Sequence, residues 1–292
     1  MINILKIGWW HNKNNIFLNN LINNKEYNIV NDINDANIII SSSYFIDANK
    51  YPTKKFIFGP HFSVFPNNII CKVNNINNNC VYIQPSQPSV NTWQKEFNFT
   101  TMPMKAMPFG VDTNNFKSSN DNKKNIFLYY KDRNPEELGL IKKYLEKKNI
   151  KNKIFNYKQK YKENEYLGYL KTCKYGIWLG RHESQGFALQ EALSCNVPLL
   201  VWNVKLRKQE WSSREVYKNI KSEVSTIPYW DKRCGEFFYE YNELDNKFNI
   251  FIQNLNTYEP RNFIIENLSM EACYKKWNNF FNNLLNNKLI KQ

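Results

Sequence analysis

Apolar runs of strand length alternate with amphipathic helical patterns twice along the chain, an order that favours parallel α/β sheets. The first series holds "NILKIGW", "NIIIS", "KKFIFG", "CVYIQP" and "MKAMPFG". Helix candidates lie between them, among them "NNIFLNNLINN" and "PSVNTWQKEFNF", the second opened by Pro88 and Ser89 as a helix start would be. After "MPFGVDTNNF" comes the polar stretch "KSSNDNKKN", and the alternation resumes with strand "IFLYY" and helix "PEELGLIKKYLEKK". It continues through strand "KIFNY", helix "KENEYLGYLKTC", strand "YGIWL", a further helix and strand "VPLLVW". The expected fold class is therefore α/β, with two Rossmann-like doubly wound domains over residues 1–114 and 115–274. From about residue 232 onward the spacing of aromatic and aliphatic residues reads as helical.

With 292 residues, 42% of them hydrophobic and 16% aromatic, the chain can bury large cores, which excludes global disorder. The formal charge of +14 suits either solubility or attraction to nucleic acid, an anionic membrane surface or phosphorylated small molecules. The basic residues are dispersed, without a Lys/Arg block. Six cysteines show neither a C-x-x-C pair nor zinc spacing, so free buried thiols in a reducing compartment are expected. The start "MINILKIGWW" lacks the features of a signal peptide and is too short to span a bilayer, which points to a soluble cytoplasmic protein.

The richest stretch is "GRHESQGFALQEALSCNVPLLVW", residues 180–202, which reads as loop, helix, turn and buried strand. Glu183 sits just ahead of the first helical turn, whose N–H groups make a natural anion site. Glu191 lies about two turns in, facing solvent or a cleft. Taken alone, the two are an N-cap group and an exposed helix carboxylate.

These residues resemble a known pattern. "ESQGFALQE" followed by "ALSCNVPLLVW" is similar to the E-x7-E motif of the retaining GT-B glycosyltransferases, the family 4-like group, and "PFGVDTNNF" is similar to that group's interdomain junction. Asn196 stands where the group usually has glycine, and "GWWHNKNN" lacks its common glycine pair. The resemblance implies two Rossmann-like domains facing a central cleft, with a C-terminal helix over about 275–292 returning to the first. It also implies a nucleotide diphosphate sugar as donor substrate, a glycan or other acceptor, and transfer with retention.

By the same resemblance Glu191 would accept hydrogen bonds from the donor's ribose diol, and Glu183 would meet the sugar near its anomeric carbon. Gly186 and Phe187 would offer N–H groups to the distal phosphate, with Ser184, Gln185 and His182 lining the same loop. Lys131 and Arg133 follow strand "NIFLYY" where a parallel sheet gathers ligands, and either could neutralise the leaving diphosphate. Tyr157 is a candidate for stacking on the base. In the first domain His61, in "FGPHFSVFP", is a candidate acceptor-side polar group, and His11 is a weaker one. No convincing D-x-D metal motif ends a strand, so neither a metal nor another cofactor is expected. A sugar-nucleotide epimerase of GT-B shape would share the donor site. A nucleic-acid-binding α/β protein would explain the charge but not the two glutamates.

Overall fold

The computed structural model describes residues 1–23, 26–63, 65, 79–99, 101–119 and 123–288. The chain forms two compact units, one made of Met1–Gly110 with the segment from Met270, the other of Val111–Ser269.

The first unit is built on a six-stranded parallel sheet: β1 (Ile2–Ile7), β2 (Tyr27–Ile29), β3 (Ile38–Ser41), β4 (Lys55–Phe58), β5 (Cys80–Gln84) and β6 (Met104–Ala106), in the order β2-β1-β3-β4-β5-β6. Strands β3, β4 and β5 are buried along their whole length, which explains their unbroken apolar runs. Helix Gln87–Phe97 contributes Val90 and Trp93 to the core, where the Trp93 ring stacks on Tyr82 with centroids 4.5 Å apart. Helix Met270–Leu285 belongs to this unit: Trp277 is fully buried against Phe17 and Phe109, and its indole N–H donates to the Pro108 carbonyl at 2.9 Å.

The second unit is a five-stranded parallel sheet of β7 (Asn125–Lys131), β8 (Lys153–Asn156), β9 (Cys173–Gly180), β10 (Leu199–Trp202) and β11 (Gly235–Phe238), in the order β11-β10-β9-β7-β8. This is the doubly wound order 2-1-3-4-5 when its strands are counted within the unit. Helix Pro135–Lys147 starts at a built cap: Asn134 accepts from the Glu136 N–H at 3.1 Å, proline follows it, and Glu136 and Glu137 occupy the first turn.

Two strands depart from the sequence reading. Gly235–Phe238 is a strand rather than the start of a helix, and its glycine has a local cause. A Cβ on Gly235, at φ 128°, would stand 2.1 Å from the Leu199 carbonyl oxygen, so only glycine lets β11 approach β10. Tyr27–Ile29 is a three-residue edge strand too short to announce itself by alternation.

Cys80, Cys173, Cys195, Cys234 and Cys273 are free and buried, and burial pushes each thiol up to about 12. Cys71 lies outside the described residues. Among the described residues no helix is long and apolar enough to cross a membrane.

Candidate functional site

In the second unit the strand order reverses between β7 and β9, and such a switch point opens a crevice at the carboxyl ends of the strands. Lys131 closes β7 and Gly180 closes β9, and the two are register partners. The next residue, Arg181, donates its backbone N–H to the Lys131 carbonyl at 2.8 Å. The loops behind are laced to the same point. Thr226 Oγ1 donates to the Gly180 carbonyl at 3.1 Å, the Glu183 N–H donates to the Ser225 carbonyl at 3.0 Å, and Asn203, just past β10, accepts from the Thr226 N–H at 2.8 Å. "HESQG" therefore rests on a fixed frame, as a site of defined geometry requires.

Lys131 and Arg133 part company at Asp132, which takes φ 50°. The Asp132 carboxylate accepts from the Ser212 N–H and hydroxyl and from Lys158. Burial works against its charge, yet the Ser212 and Lys158 hydrogen bonds win and hold it below the usual carboxylate range. Beyond this turn Arg133 points inward with no exposed surface. Its guanidinium donates to both Glu137 oxygens, at 2.9 and 2.8 Å, and to the carbonyls of Gly180 and Trp202 at 3.2 and 2.9 Å. The fork thus clamps the strand ends together from within the fold.

Lys131 stays at the site. Its Nζ lies 2.7 Å from Glu183 Oε1, with 11% and 10% of the two side chains exposed, and stands 4.5 Å above the Tyr157 ring. Tyr157 itself is 52% exposed. The structure thus gathers Lys131, Glu183 and Tyr157 from three separate segments.

His182 turns away from solvent and is 6% exposed. Arg207 Nη1 lies 2.8 Å from its Nε2, and because a guanidinium only donates, Nε2 accepts and the proton sits on Nδ1. That nitrogen is 3.2 Å from Glu210 Oε2 without hydrogen-bond alignment. Burial, then the charges of Arg207, Arg181 and Lys131, push His182 well below the usual histidine range. Its ring is therefore buried and neutral, with Nε2 already engaged by Arg207.

The sequence reading passed over Arg181, Arg207 and Glu210. Arg181 Nη1 donates to Glu210 Oε2 at 2.8 Å. Burial opposes its charge, but Glu183 and Glu210 overcome this and raise it. The signal was present for Arg181, the residue directly after Gly180 at a strand end. For Arg207 and Glu210, in "NVKLRKQEW", no spacing pointed to the site.

Helix Phe187–Ser194 begins two residues later than Gln185, with Gly186 as its N-cap at φ 85°, a left-handed conformation that glycine adopts without cost. The N–H groups of its first turn point out of the helix start beside Glu183. Ser184 is exposed, while Gln185 is 3% exposed and pairs with Gln190, whose Nε2 donates to the Gln185 carbonyl at 2.7 Å. Glu191 is 4% exposed, so it is neither solvent-facing nor the ordinary surface carboxylate of the alternative reading. With Glu183 it lies within electrostatic reach of the Tyr161 hydroxyl, which burial first and these charges after it push up to about 12. Asn196 takes φ 54° just past the helix, and asparagine tolerates that conformation better than most residues.

In the first unit His61 follows β4 and sits among Trp9, Trp10 and Asn14. Among the described residues no group of three or more His, Cys, Asp or Glu side chains could hold a metal ion.

No family model matches the chain, and no curated protein matches it. Solved structures do. A sucrose-phosphate synthase from Thermosynechococcus elongatus is similar with a TM-score of 0.60 at 10% identity, over 98% of this chain and 100% of that one. The lipopolysaccharide outer core galactosyltransferase WaaB, in its apo form, is similar with a TM-score of 0.51 at 12% identity, over 98% and 99% of the two chains. The N-terminal domain of a Candida albicans trehalose-6-phosphate phosphatase is similar with a TM-score of 0.51 at 10% identity, over 94% and 73%. At such identities the likeness is one of fold: the chain has the two-domain α/β fold, each domain on a parallel sheet, of GT-B proteins.

Proposed function

We propose that the chain is a glycosyltransferase that moves a sugar from a nucleotide diphosphate donor to an acceptor hydroxyl, with retention, and that the donor binds at the carboxyl ends of β7 and β9. The observation that carries this reading is the Lys131–Glu183 pair, a cation and a carboxylate held 2.7 Å apart at the switch point beside the start of helix Phe187–Ser194. Transfer breaks the bond between the anomeric carbon and the diphosphate, leaving negative charge on the phosphate and positive charge on the sugar. Lys131 and the N–H groups of Gly186 and Phe187 would receive the first, and Glu183 would face the second.

The remaining contacts follow from position. Arg181, steered by Glu210, adds a second cation near the diphosphate, while Tyr157 offers its exposed ring to the base. Glu191 would accept the ribose diol, a contact strengthened by its withdrawal from water. The donor is the only cofactor-like molecule this scheme uses.

A nucleotide-release assay over a panel of sugar nucleotides tests the proposal. Wild-type protein should release nucleotide diphosphate from at least one donor in the presence of a mixed acceptor panel, and Glu183→Gln should release roughly 100-fold less. Equal release by both proteins would contradict it.

A further inference from the structure

Strand register sets Tyr157 beside Lys131. Tyr130 of β7 and Asn156 of β8 are the last partners of their ladder, so the residues that follow them, Lys131 and Tyr157, emerge as neighbours. The next pair across is fixed as well: Lys158 Nζ lies 3.2 Å from Asp132 Oδ1, and the Asp132 carboxylate is itself held by Ser212. On the β8 side Asn156 Oδ1 accepts from the Lys158 N–H at 3.0 Å, which starts the single turn Tyr157–Gln159. The backbone that carries the Tyr157 ring is thus tied down next to the cation, and the contact between them is built into the strand ends.

Lys131, Glu183 and Tyr157 share water unequally. The ion pair is nearly dry while the tyrosine is half-exposed, so the ring forms the outer layer of the group and the pair the inner one. Lys131 Nζ stands 4.5 Å from the ring centroid, where the negative face of an aromatic ring attracts a cation. Among the described residues no other ring packs on Tyr157, whereas Phe155, two residues earlier, packs against Tyr161, Tyr166 and Tyr169. Tyr157 is therefore a ring held out of the aromatic core, with the lysine on its face.

We infer that Tyr157 is a specificity-determining residue: its ring screens Lys131 from anions that bring no base, and yields the cation to those that do. Inorganic phosphate or pyrophosphate reaching Lys131 has to take the cation from both Glu183 and the ring, and gives the ring nothing in exchange. A nucleoside diphosphate takes the cation too, but its base replaces the lysine on the ring. Parting cation from ring costs the same for both ligands and only one of them recovers it, so the discrimination comes from a penalty on the wrong ligand as well as a contact with the right one. The role of the base rests on the donor reading, whereas the screening of Lys131 does not.

Isothermal titration of the full chain with pyrophosphate and with the nucleoside diphosphates of each base gives the test, on wild type, Tyr157→Ala and Tyr157→Phe. Tyr157→Ala should bind pyrophosphate about threefold more tightly. The same variant should bind the nucleoside diphosphate that wild type prefers about tenfold less tightly. Tyr157→Phe, which keeps the ring, should restore both affinities toward wild type. A merely structural role for the tyrosine would move both ligands in one direction, so the opposite signs carry the result. Pyrophosphate binding that is absent, unchanged or weaker in Tyr157→Ala, nucleoside diphosphate binding that tightens along with it, or a Tyr157→Phe protein that behaves like the alanine variant would overturn the inference. Tighter pyrophosphate binding in Tyr157→Ala, with no nucleoside diphosphate bound by wild type, would leave the screen standing and remove the donor reading; a nucleoside diphosphate bound by wild type with pyrophosphate affinity unchanged in the variant would do the reverse.

Discussion

Lys131 and Glu183 close on each other across the ends of β7 and the β9 loop, 2.7 Å apart and almost out of solvent. Each neutralises the other where a diphosphate and a sugar are proposed to sit, so donor binding would exchange one partner for another instead of burying a bare charge. Glu183→Gln should therefore leave affinity for a free nucleotide diphosphate unchanged or tighter, because Lys131 is released, while transfer collapses. Isothermal titration beside initial rates checks this, and a Glu183→Gln protein that loses nucleotide affinity in step with turnover would show that the carboxylate does not act at the sugar.

Arg133 gives the contrasting case of a cation two residues on whose hydrogen-bond partners all lie within the fold. Arg133→Ala strips a buried fork from Glu137 and from two strand-end carbonyls, with an expected cost of about 3–5 kcal/mol. Equilibrium denaturation should record this loss. Lys131→Ala should instead weaken nucleotide diphosphate binding more than nucleoside binding, with a much smaller change in stability.

Glu191→Gln should weaken free nucleotide and sugar nucleotide alike, since both carry the ribose. Loss of a charge-assisted hydrogen bond is worth roughly 1.5–3 kcal/mol, or about 10- to 160-fold in affinity. Unaltered nucleotide affinity in a folded variant would return this residue to a purely structural role.

Burial, and then the charge of His11, pushes His61 down to about 4. The unfolded ring takes up its proton near pH 6.5, so between pH 6.5 and 4 the unfolded chain binds more protons and stability falls as pH falls. The stabilisation is complete above about pH 6.5 and declines as acid drives the ring toward its folded value, a loss on the order of 2 kcal/mol given its partial exposure. Buried His182 adds a loss of the same sign. Urea denaturation at pH 7 and pH 4.5 should show a smaller drop for His61→Gln than for wild type. Parallel slopes would contradict the neutral-ring assignment.

How much of this was legible in the sequence differs by element. The buried strands β3, β4, β7 and β9 and the helix carrying Glu191 announced themselves through continuous apolar runs and helical spacing, which local pattern sets directly. Strand β11 did not, because its aromatic residues also fit a helical stripe and only contact with β10 decides between them. Lys131 and Arg133 are equivalent two residues apart in sequence; the left-handed turn at Asp132, fixed by Ser212 from a distant loop, sends one outward and the other inward. Glu210 meets the site through Arg181 and His182, and its contact with Arg181 joins positions 29 residues apart that no local spacing encodes.

The most direct test of the central claim is a thermal melt of the full chain with nucleoside diphosphates of each base and their sugar conjugates. A ligand at about 100 times its Kd adds about 2.7 kcal/mol, so at least one nucleotide diphosphate should raise Tm by several degrees in wild type, and Lys131→Ala should blunt that rise. No Tm shift from any nucleotide diphosphate or sugar nucleotide would contradict a donor site at the ends of β7 and β9.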